Sequence, residues 1–371
     1  MNAHFESAPV FFHSNEPRFQ SANRLYQGVP TVAATKGGRL FVGWCSGGNG
    51  EPRIENFDIV YYSDDGGNSW CDLPLVTIES HKEKMIHAFD VQLWVDPQNA
   101  LHIMWVQEDA RLRRPGEVTK WTPEHPIAGG EGYIFEDFLH CVWEIVCEEP
   151  DAQQLVFSEP RHLFKGFLRC KPLVTAGGKI FAFSYDQLDD RYGFNVSVDG
   201  GLKWKRKKGG RKFLTPFDEG MAYQLRDGSI RMLARCEGGA LAETWSYDDG
   251  ENWTDGSLSD ITSPSSRFYI SRTPSGRLLV ACNDHEKSRC SMTVKLSEDD
   301  GKTWPWSLCV DERGDISYPD VDFIGDQIFM VYDRGRRTEN EILMAVFTEE
   351  DIINGVKPQI QIVSKPGVTA I

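Results

Sequence analysis

The sequence has 371 residues, 40% of them hydrophobic, and a formal net charge of −15. A chain of this length forms one large β domain or two ordinary ones, and its acidic balance argues against nucleic acids and anionic membranes as partners. No apolar run approaches the roughly 20 residues of a membrane-spanning helix. The polar start, residues 1–22, lacks the layout of a secretory signal. The nine cysteines show no metal-ligand spacing, which is typical of reduced thiols, so we expect a cytoplasmic protein.

Short apolar strands recur in pairs along the chain. Six times a turn with Gly, Asn or Asp leads into an apolar run, at residues 38–44, 100–105, 178–183, 228–234, 276–281 and 325–331. Each run follows another short strand, at residues 30–34, 91–95, 172–175, 221–225, 269–272 and 321–324. Such runs on either side of turn residues predict β-hairpins. The last four runs begin 50, 48 and 49 residues apart, which indicates a structural repeat.

A second repeat is the octapeptide Ser-x-Asp-x-Gly-x-x-Trp, found at residues 63–70, 197–204, 246–253 and 297–304. The Asp side chain of this pattern caps backbone N–H groups and the Gly adopts a positive φ, so each copy predicts a tight turn. Two hairpins joined by such a turn make a four-stranded blade. We therefore predict an all-β protein, a six-bladed β-propeller, in which closure of the ring removes most sheet edges.

The predicted propeller is one domain that spans residues 1–371. It carries an N-terminal extension at residues 1–20 and a surface loop at residues 108–132, which is rich in charge, Pro and Gly. Whether that loop forms a lid over one face stays open. Helical periodicity is nearly absent, and residues 348–354 are the short helix that the sequence predicts.

Propellers place their functional groups at the mouth of the axis, where the inner strands begin. Ionisable and polar residues flank the predicted strands at this mouth with unusual density. They are Gln27, Glu51, Glu55, Asp90, Glu108, Lys171, Tyr185, Asp186, Glu219, Arg235, Arg267, Asp284, His285, Arg289, Tyr318, Asp333 and Arg334. This density predicts a site for a polar or charged ligand. His87 and His285 lack Cys or His partners at ligand spacing, so we predict no metal site.

Several of these residues stand in segments that resemble the sialidase (neuraminidase) superfamily, whose members carry the octapeptide as the Asp box, or BNR repeat. Tyr318 lies in Ile-Ser-Tyr-Pro-Asp-Val, which resembles the segment of the nucleophilic tyrosine. Glu219 begins Glu-Gly-Met-Ala-Tyr-Gln-Leu, and Arg235 follows sixteen residues later, as in the segment of the glutamate partner and the second arginine. Arg289 begins a strand that resembles the one with the third arginine. The resemblance covers nearly the whole chain.

The chain departs from that superfamily near its start. Sialidases have Phe/Tyr-Arg-Ile-Pro where this chain has Tyr-Gln-Gly-Val-Pro at residues 26–30, so the first arginine is missing. Sialidases also use an Asp as general acid in the loop before the first Asp box. Here residues 47–56 offer only Glu51 and Glu55. Both changes fall on groups that recognise sialic acid, so the resemblance leaves the sugar open.

The resemblance implies a role for each of these residues. Tyr318 would be the nucleophile and Glu219 the base that takes its proton, because a phenol with a pKa near 10 is a poor nucleophile unaided. Glu55 would be the general acid, with Glu51 as the alternative. Arg235 and Arg289 would clamp a carboxylate through charge-assisted bonds. Further candidate substrate-binding residues are Gln27, Glu51, Asp90, Lys171, Asp186 and Arg334.

These residues predict a sialidase-like exo-glycoside hydrolase that removes a terminal, acidic or polar sugar and needs no cofactor. One alternative keeps the pocket but acts as a lyase on a uronic-acid-containing glycan. Another is a non-catalytic propeller that binds glycans or proteins. The sugar, its linkage, the stereochemical outcome and the oligomeric state stay open.

Overall fold

The computed structural model describes residues 5–117, 127–130, 132–136, 140–215 and 217–369. These residues form six antiparallel sheets arranged as the blades of a six-bladed β-propeller. The predicted fold class is therefore confirmed. Within the described parts of the chain, no helix has the length and hydrophobicity needed to span a membrane. All nine cysteines are free thiols.

The blades follow one another along the chain. Blade 1 contains β1 (Val10–Phe12), β2 (Gln27–Ala34), β3 (Leu40–Ser46), β4 (Phe57–Ser63) and β5 (Val76–Glu79). Blade 2 contains β6 (Ile86–Val95), β7 (Leu101–Leu112), β8 (Ile127–Gly130), β9 (Tyr133–Glu136), β10 (Cys141–Cys147) and β11 (Arg161–Lys165). Blade 3 contains β12 (Leu173–Val174), β13 (Ile180–Ala182), β14 (Arg191–Ser197) and β15 (Lys205–Arg211).

The second half of the chain is more regular. Blade 4 contains β16 (Met221–Gln224), β17 (Ile230–Ala234), β18 (Ala240–Ser246) and β19 (Ser257–Thr262). Blade 5 contains β20 (Tyr269–Arg272), β21 (Leu278–Asn283), β22 (Cys290–Ser297) and β23 (Trp306–Gly314). Blade 6 contains β24 (Ile316–Ile324), β25 (Gln327–Arg334), β26 (Glu341–Thr348), α1 (Glu349–Asn354), β27 (Ile360–Lys365) and β28 (Val368–Thr369). Two short 3₁₀ turns, Pro17–Phe19 and Ser21–Asn23, precede β2.

The four Asp boxes form the turns that join the third and fourth strands of blades 1, 3, 4 and 5. In the box of blade 5, Ser297 Oγ donates to Asp299 Oδ1 at 2.8 Å and accepts from Gly301 N at 2.9 Å. The carboxylate of Asp299 also accepts from Thr303 N at 2.9 Å. The side chains thus satisfy backbone groups that the reversing chain leaves open, as the sequence predicts.

Blade 6 has α1 where these blades have an Asp box. Thr348 is its N-cap, and Thr348 and Asp351 make the reciprocal bonds of a capping box. Gly355 ends the helix in the left-handed conformation, with φ of 69°. The predicted helix at residues 348–354 is confirmed to within its capping residue.

Two peripheral predictions need correction. The segment at residues 1–20 is more than an extension, because β1 pairs with β5 and adds a fifth strand to blade 1. The segment at residues 108–132 is not a simple surface loop. Glu108 is buried in β7, which continues to Leu112, and β8 pairs with β9 as an extension of blade 2. Residues 118–126 and 131, on which the open question of a lid depends, lie outside the described residues.

The first and last blades meet through both apolar and polar contacts. Val32, Val42 and Trp44 of blade 1 share one buried cluster with Phe329 and Val331 of blade 6, and each such side chain contributes about 1.5–3 kcal/mol when fully buried. In the same seam, the Asp320 carboxylate accepts from Thr31 Oγ1 at 2.7 Å and from Val32 N at 3.0 Å. These contacts close the ring.

The inner strands bend sharply where they reach the axis. Val29, Asp90, Glu219 and Tyr318 have positive φ of 59°, 57°, 41° and 59°, and the strand register shifts around the first, second and fourth of them. Such bulges re-aim a side chain at the cost of about 1–3 kcal/mol of strain. The hairpin register gives six equivalent axis positions: Val29, Asp90, Arg169, Glu219, Arg267 and Tyr318.

Candidate active site

A pocket of about 170 Å³ opens at the axis where the inner strands begin. Five of the six blades line it, and one wall is aromatic. The lining residues are Glu51, Pro52, Asn56, His87, Phe89, Asp90, Glu108, Phe167, Arg169, Tyr185, Gln187, Phe217, Glu219, Arg235 and Tyr318. The strand bends described above therefore bring carboxylates, guanidinium groups and a phenol from distant parts of the chain into one small space.

Tyr318 and Glu219 are in direct contact. The Tyr318 hydroxyl donates to Glu219 Oε1 over 2.7 Å, and both residues are at least 97% buried. Burial acts to raise the pKa of Glu219, but Arg235 and Arg169 outweigh it and hold that pKa below its ordinary value. The carboxylate is therefore ionised at neutral pH and positioned to take the phenol proton.

Five arginines surround the Tyr318 side chain. Arg235 Nη1 lies 3.1 Å from the hydroxyl oxygen. The guanidinium carbons of the other four lie 4.0–5.2 Å from the ring centre, within the range of cation–π contacts: Arg336, Arg169, Arg267 and Arg289. So many cations around one phenol make this end of the pocket suited to an anionic ligand.

Three of these guanidinium groups already have partners. Arg169 pairs with the carboxylates of Asp90 and Glu219. Arg267 is 98% buried and donates to the backbone oxygens of Pro30, Arg169 and Tyr318. Arg336 donates to Asp333, Glu51 and Ser317. These three arginines hold the site together and have little capacity left for a ligand.

Arg235 and Arg289 keep unused donors. Arg235 donates Nε to Ser265 Oγ at 3.0 Å and Nη1 to Glu219 and Tyr318, while its Nη2 meets no acceptor among the described residues. Arg289 donates only Nη2, to Ser265 O at 3.0 Å. Arg289 does not line the pocket itself but lies beside Tyr318. Arg235 and Arg289 therefore each keep N–H donors that a carboxylate could use, and Nε of Arg169 also has no hydrogen-bond partner among the described residues.

The missing first arginine leaves a space that another arginine fills. A Cβ atom on Gly28 would lie 2.9 Å from Cδ of Arg336, closer than real Cβ contacts come. Arg336 follows β25 of blade 6. Its side chain packs against Gly28 and pairs with Glu51, both of blade 1, and its guanidinium lies over the Tyr318 ring of its own blade. Gly28 is therefore the residue that makes room for Arg336, and the site regains a positive charge from a different blade.

The two candidate acids differ in position. Glu55 is exposed and does not line the pocket, so the structure does not place it for the role that the sequence assigned. Glu51 does line it, but Arg336 Nη1 lies 3.3 Å from its Oε1. Burial acts to raise the pKa of Glu51, but Arg336, a hydrogen bond with Tyr26 and the charges of further arginines together outweigh it and hold that pKa below its ordinary value. An ionised Glu51 has no proton to give to a leaving group.

Four of the remaining predicted substrate-binding residues lie outside the pocket. Gln27 is buried and bonds to Trp44 Nε1, Ser364 Oγ and Asn340 O. Lys171 donates to Val321 O at 2.6 Å and pairs with Asp322. Asp186 caps a turn through Leu188 N. Arg334 pairs with Glu339 and Glu341 at the surface. All four make contacts within the protein away from the pocket lining, whereas Asp90 does line the pocket.

Sequence reasoning missed several residues of the site. Arg169 occupies the axis position of blade 3. The sequence could have identified it, because it stands at the same position of its hairpin as Glu219 does in blade 4. Arg336 has no such signal apart from the glycine at position 28. Phe89, Phe167 and Phe217 lie one or two residues before axis positions and form an aromatic wall.

The sequence predicts no metal-binding role for His87 and assigns it no other. In the structure it lines the pocket and pairs with a carboxylate. His87 Nδ1 lies 2.7 Å from Glu108 Oε1, and His140 Nε2 lies 3.2 Å from Glu108 Oε2. All three side chains are at least 98% buried. The histidines lower the pKa of Glu108 against the effect of burial, so this carboxylate stays ionised.

One group of side chains has the spacing of a metal site. Cys45, Glu51 and Asp90 offer ligand atoms within 4.8 Å of one another. However, Asp90 pairs with Arg169 and Glu51 with Arg336, so the carboxylates are already neutralised. The charge balance there does not favour a divalent cation.

The fold and the pocket together define an Asp-box propeller with a tyrosine, a glutamate and an arginine cluster at its axis. Residues 150–330 match the family of BNR repeat-like domains. No curated protein matches the sequence significantly. The match to the BNR repeat-like family agrees with the Asp boxes of blades 3, 4 and 5, which all lie within it.

Solved structures of sialidases share this fold. The intramolecular trans-sialidase of Ruminococcus gnavus, in complex with oseltamivir carboxylate, is 13% identical, with a TM-score of 0.69 over 95% of this chain and 99% of that chain. The leech intramolecular trans-sialidase, complexed with 2,7-anhydro-Neu5Ac, is 12% identical, with a TM-score of 0.70 over 94% and 71%. The Hadza microbial sialidase Hz136 is 18% identical, with a TM-score of 0.68 over 88% and 66%.

At these identities the likeness establishes the fold. The chain has the sialidase-type six-bladed propeller, and the predicted resemblance to the sialidase superfamily is supported. The chain spans about two thirds of the length of Hz136. Its activity and substrate are therefore argued from its own pocket.

Proposed function

We propose that the protein is a sialidase-like exo-glycoside hydrolase that removes a terminal acidic sugar, sialic acid or a relative, from a glycan. The observation that carries this proposal is the 2.7 Å hydrogen bond between Tyr318 and Glu219 inside the axial pocket. A tyrosine in place of a carboxylate nucleophile avoids bringing one anion up to another, which suits an acidic substrate. The sialidase fold supports the same class of reaction.

In this proposal Tyr318 attacks the anomeric carbon of the sugar while Glu219 accepts the phenol proton. The two groups are already in hydrogen-bond contact, so the proton transfer needs no rearrangement. The bend at each residue aims its side chain at the axis from blades 4 and 6, which fixes the pair relative to the sugar. Water then releases the sugar from Tyr318, and Glu219 returns the proton.

The carboxylate of the sugar would bind Arg235 and Arg289. These arginines keep N–H groups without acceptors among the described residues, and both lie beside Tyr318. Each charge-assisted hydrogen bond contributes about 1.5–3 kcal/mol. The aromatic wall of Phe89, Phe167 and Phe217 would contact the apolar face of the sugar.

A turnover assay tests this function. The substrates are aryl glycosides of sialic acid, related acidic sugars, uronic acids and neutral sugars, each given to the wild type and to Tyr318→Phe. We expect release of the aryl alcohol from an acidic glycoside by the wild type and not by the variant. If a folded sample releases no aryl alcohol from any of these glycosides, the proposal is contradicted. A product with new ultraviolet absorption would identify a lyase instead.

A further inference from the structure

Hydrolysis of an unactivated glycoside needs an acid that protonates the leaving oxygen. The contacts of the pocket residues limit which side chain can be that proton donor. Glu55 is exposed and lies outside it. Glu51 is ionised and pairs with Arg336, and Asp90 pairs with Arg169. Glu219 already serves Tyr318. The pocket has a further titratable residue on the blade 2 side, which is His87.

His87 is held in a defined orientation with one nitrogen to spare. Its ring stacks on Phe89, with centroids 4.4 Å apart, and contacts Phe135 at the same distance. Because the Glu108 carboxylate can only accept, Nδ1 of His87 carries the proton of their 2.7 Å bond. Nε2 is buried and has no hydrogen-bond partner among the described residues. A buried polar atom without a partner is destabilising, and a bound ligand that supplies the partner would relieve that cost.

His102 shows that this arrangement is not simply how the blade holds a histidine. It lies on the same strand as Glu108 and also pairs Nδ1 with a carboxylate, Glu144 Oε2 at 3.0 Å. Its Nε2 also has no hydrogen-bond partner among the described residues, but Asp96 lies 3.6 Å from it, so both nitrogens have an acidic neighbour. His102 does not line the pocket. Each histidine pairs Nδ1 with a carboxylate of its own, and the two differ in that His87 lines the pocket and that Nε2 of His102 faces an acid.

We infer that His87 is the general acid and base of the reaction, oriented by Glu108, in place of the loop aspartate that the chain lacks. The inference rests on the proposed function. Its pocket is small, about 170 Å³, so a sugar bound against Tyr318 also reaches the wall that contains His87. His140 contacts the second oxygen of Glu108 and holds the carboxylate from the other side.

Tyr318 Oη forms a bond to the anomeric carbon while its proton passes to Glu219. At the same time the bond from that carbon to the leaving oxygen breaks, its electron pair stays on the oxygen, and His87, with a proton on each ring nitrogen, gives the Nε2 proton to that oxygen. In the second half, water attacks the anomeric carbon and gives a proton to Nε2. As it does so, the bond to Tyr318 breaks with its electron pair on the phenol oxygen, and Glu219 returns the proton to that oxygen.

The test compares two leaving groups on one acidic sugar. A dinitrophenol leaves without protonation, whereas an alkyl alcohol needs an acid. We expect His87→Gln to lower kcat/KM about 10²–10⁴-fold for the alkyl glycoside and less than about tenfold for the dinitrophenyl glycoside. Glu108→Gln keeps His87 but weakens the contact that orients it, and is expected to shift the same ratio less. His102→Gln, the matched control, should leave the ratio unchanged.

The outcomes separate the two ideas. Equal losses on both substrates in His87→Gln, or no loss on either, would overturn the role of His87 while the glycosidase stands. If His87→Gln does not fold, as judged by its unfolding midpoint, an unchanged ratio in Glu108→Gln overturns the inference on its own. A wild type that hydrolyses neither substrate overturns the proposed function, and this inference with it.

Discussion

The two sides of the axial pocket differ in how far they follow the sialidase pattern. Blades 4, 5 and 6 supply Tyr318, Glu219, Arg235 and Arg289, which stand in segments that resemble that superfamily and meet in the structure. Blades 1 and 2 have Gly28 in place of an arginine and no aspartate in the acid loop. We call blades 4, 5 and 6, which would form the bond to the sugar, the retained side, because they carry the residues of the sialidase pattern. We call blades 1 and 2, which would receive the leaving group, the rebuilt side, because they do not.

The propeller architecture allows such a division. Each blade has one axis residue at the same position of its inner hairpin, four of them at a strand bend, so a different residue in one blade leaves the others in place. Arg336 from blade 6 packs against Gly28, in the segment where the resemblance to sialidases would place an arginine. One half of a site can therefore change while the other half is retained.

The largest effect is expected at the retained side. Tyr318→Phe removes the nucleophilic oxygen and should lower kcat by more than about a thousandfold, because water must then attack directly. The fold should be preserved, since the hydroxyl contacts only Glu219 and Arg235. Steady-state kinetics and the midpoint of thermal unfolding check both parts. A variant that keeps a tenth of the wild-type kcat would contradict the assignment.

The two free arginines should differ in the parameter that they affect. Arg289→Lys loses the two guanidinium nitrogens that have no acceptor among the described residues, along with the bond to Ser265 O, so we expect KM to rise about 10–100-fold with little change in kcat. Arg235→Lys should lower kcat as well, because Arg235 also contacts Glu219 and the Tyr318 oxygen. The measurement is kcat and KM on one acidic aryl glycoside. Equal effects of the two variants would show that neither position is specialised.

The rebuilt side can be tested at Gly28. A methyl group there would meet Arg336, so Gly28→Ala should destabilise the fold by about 1–3 kcal/mol and weaken the Arg336–Glu51 pair. Gly50→Ala in the same blade is the matched control, because a Cβ there meets nothing within 4 Å. Denaturant unfolding measures both. If the two variants unfold alike, Arg336 does not depend on the space at Gly28.

A smaller, pH-dependent effect on the unfolding free energy is expected at Asp218, the residue before Glu219. Burial raises the pKa of Asp218 to about 7, despite the nearby Lys212. The folded protein then binds the proton more tightly than the unfolded chain, so this contribution to stability is full below about pH 4 and is lost as the pH rises through 7. Asp218→Asn should remove that part of the pH dependence of the unfolding free energy. An unchanged pH profile would mean that Asp218 titrates normally.

Much of this architecture was accessible from the sequence, and the reasons are specific. The Asp boxes and the hairpin spacing are local patterns, so they predicted the blades and, with the resemblance, Tyr318, Glu219 and Arg235. Arg336 escaped prediction because it contacts Glu51 of another blade, and His87 because its partner Glu108 comes from the neighbouring strand through the pairing of β6 with β7. Arg336 fits into the site beside Gly28 because the glycine has no side chain there. Conversely, Lys171 stands near an axis position but its side chain turns away to Asp322.

The most direct test of the account is the identity of the residue that bonds to the sugar. A fluorinated acidic sugar with a good leaving group slows the second half of a two-step reaction, so a covalent intermediate accumulates for mass spectrometry of the digested protein. We predict a mass increase of one sugar on the peptide that contains Tyr318, absent in Tyr318→Phe. A label on another residue, or turnover of the sugar without any covalent intermediate, would contradict the central claim.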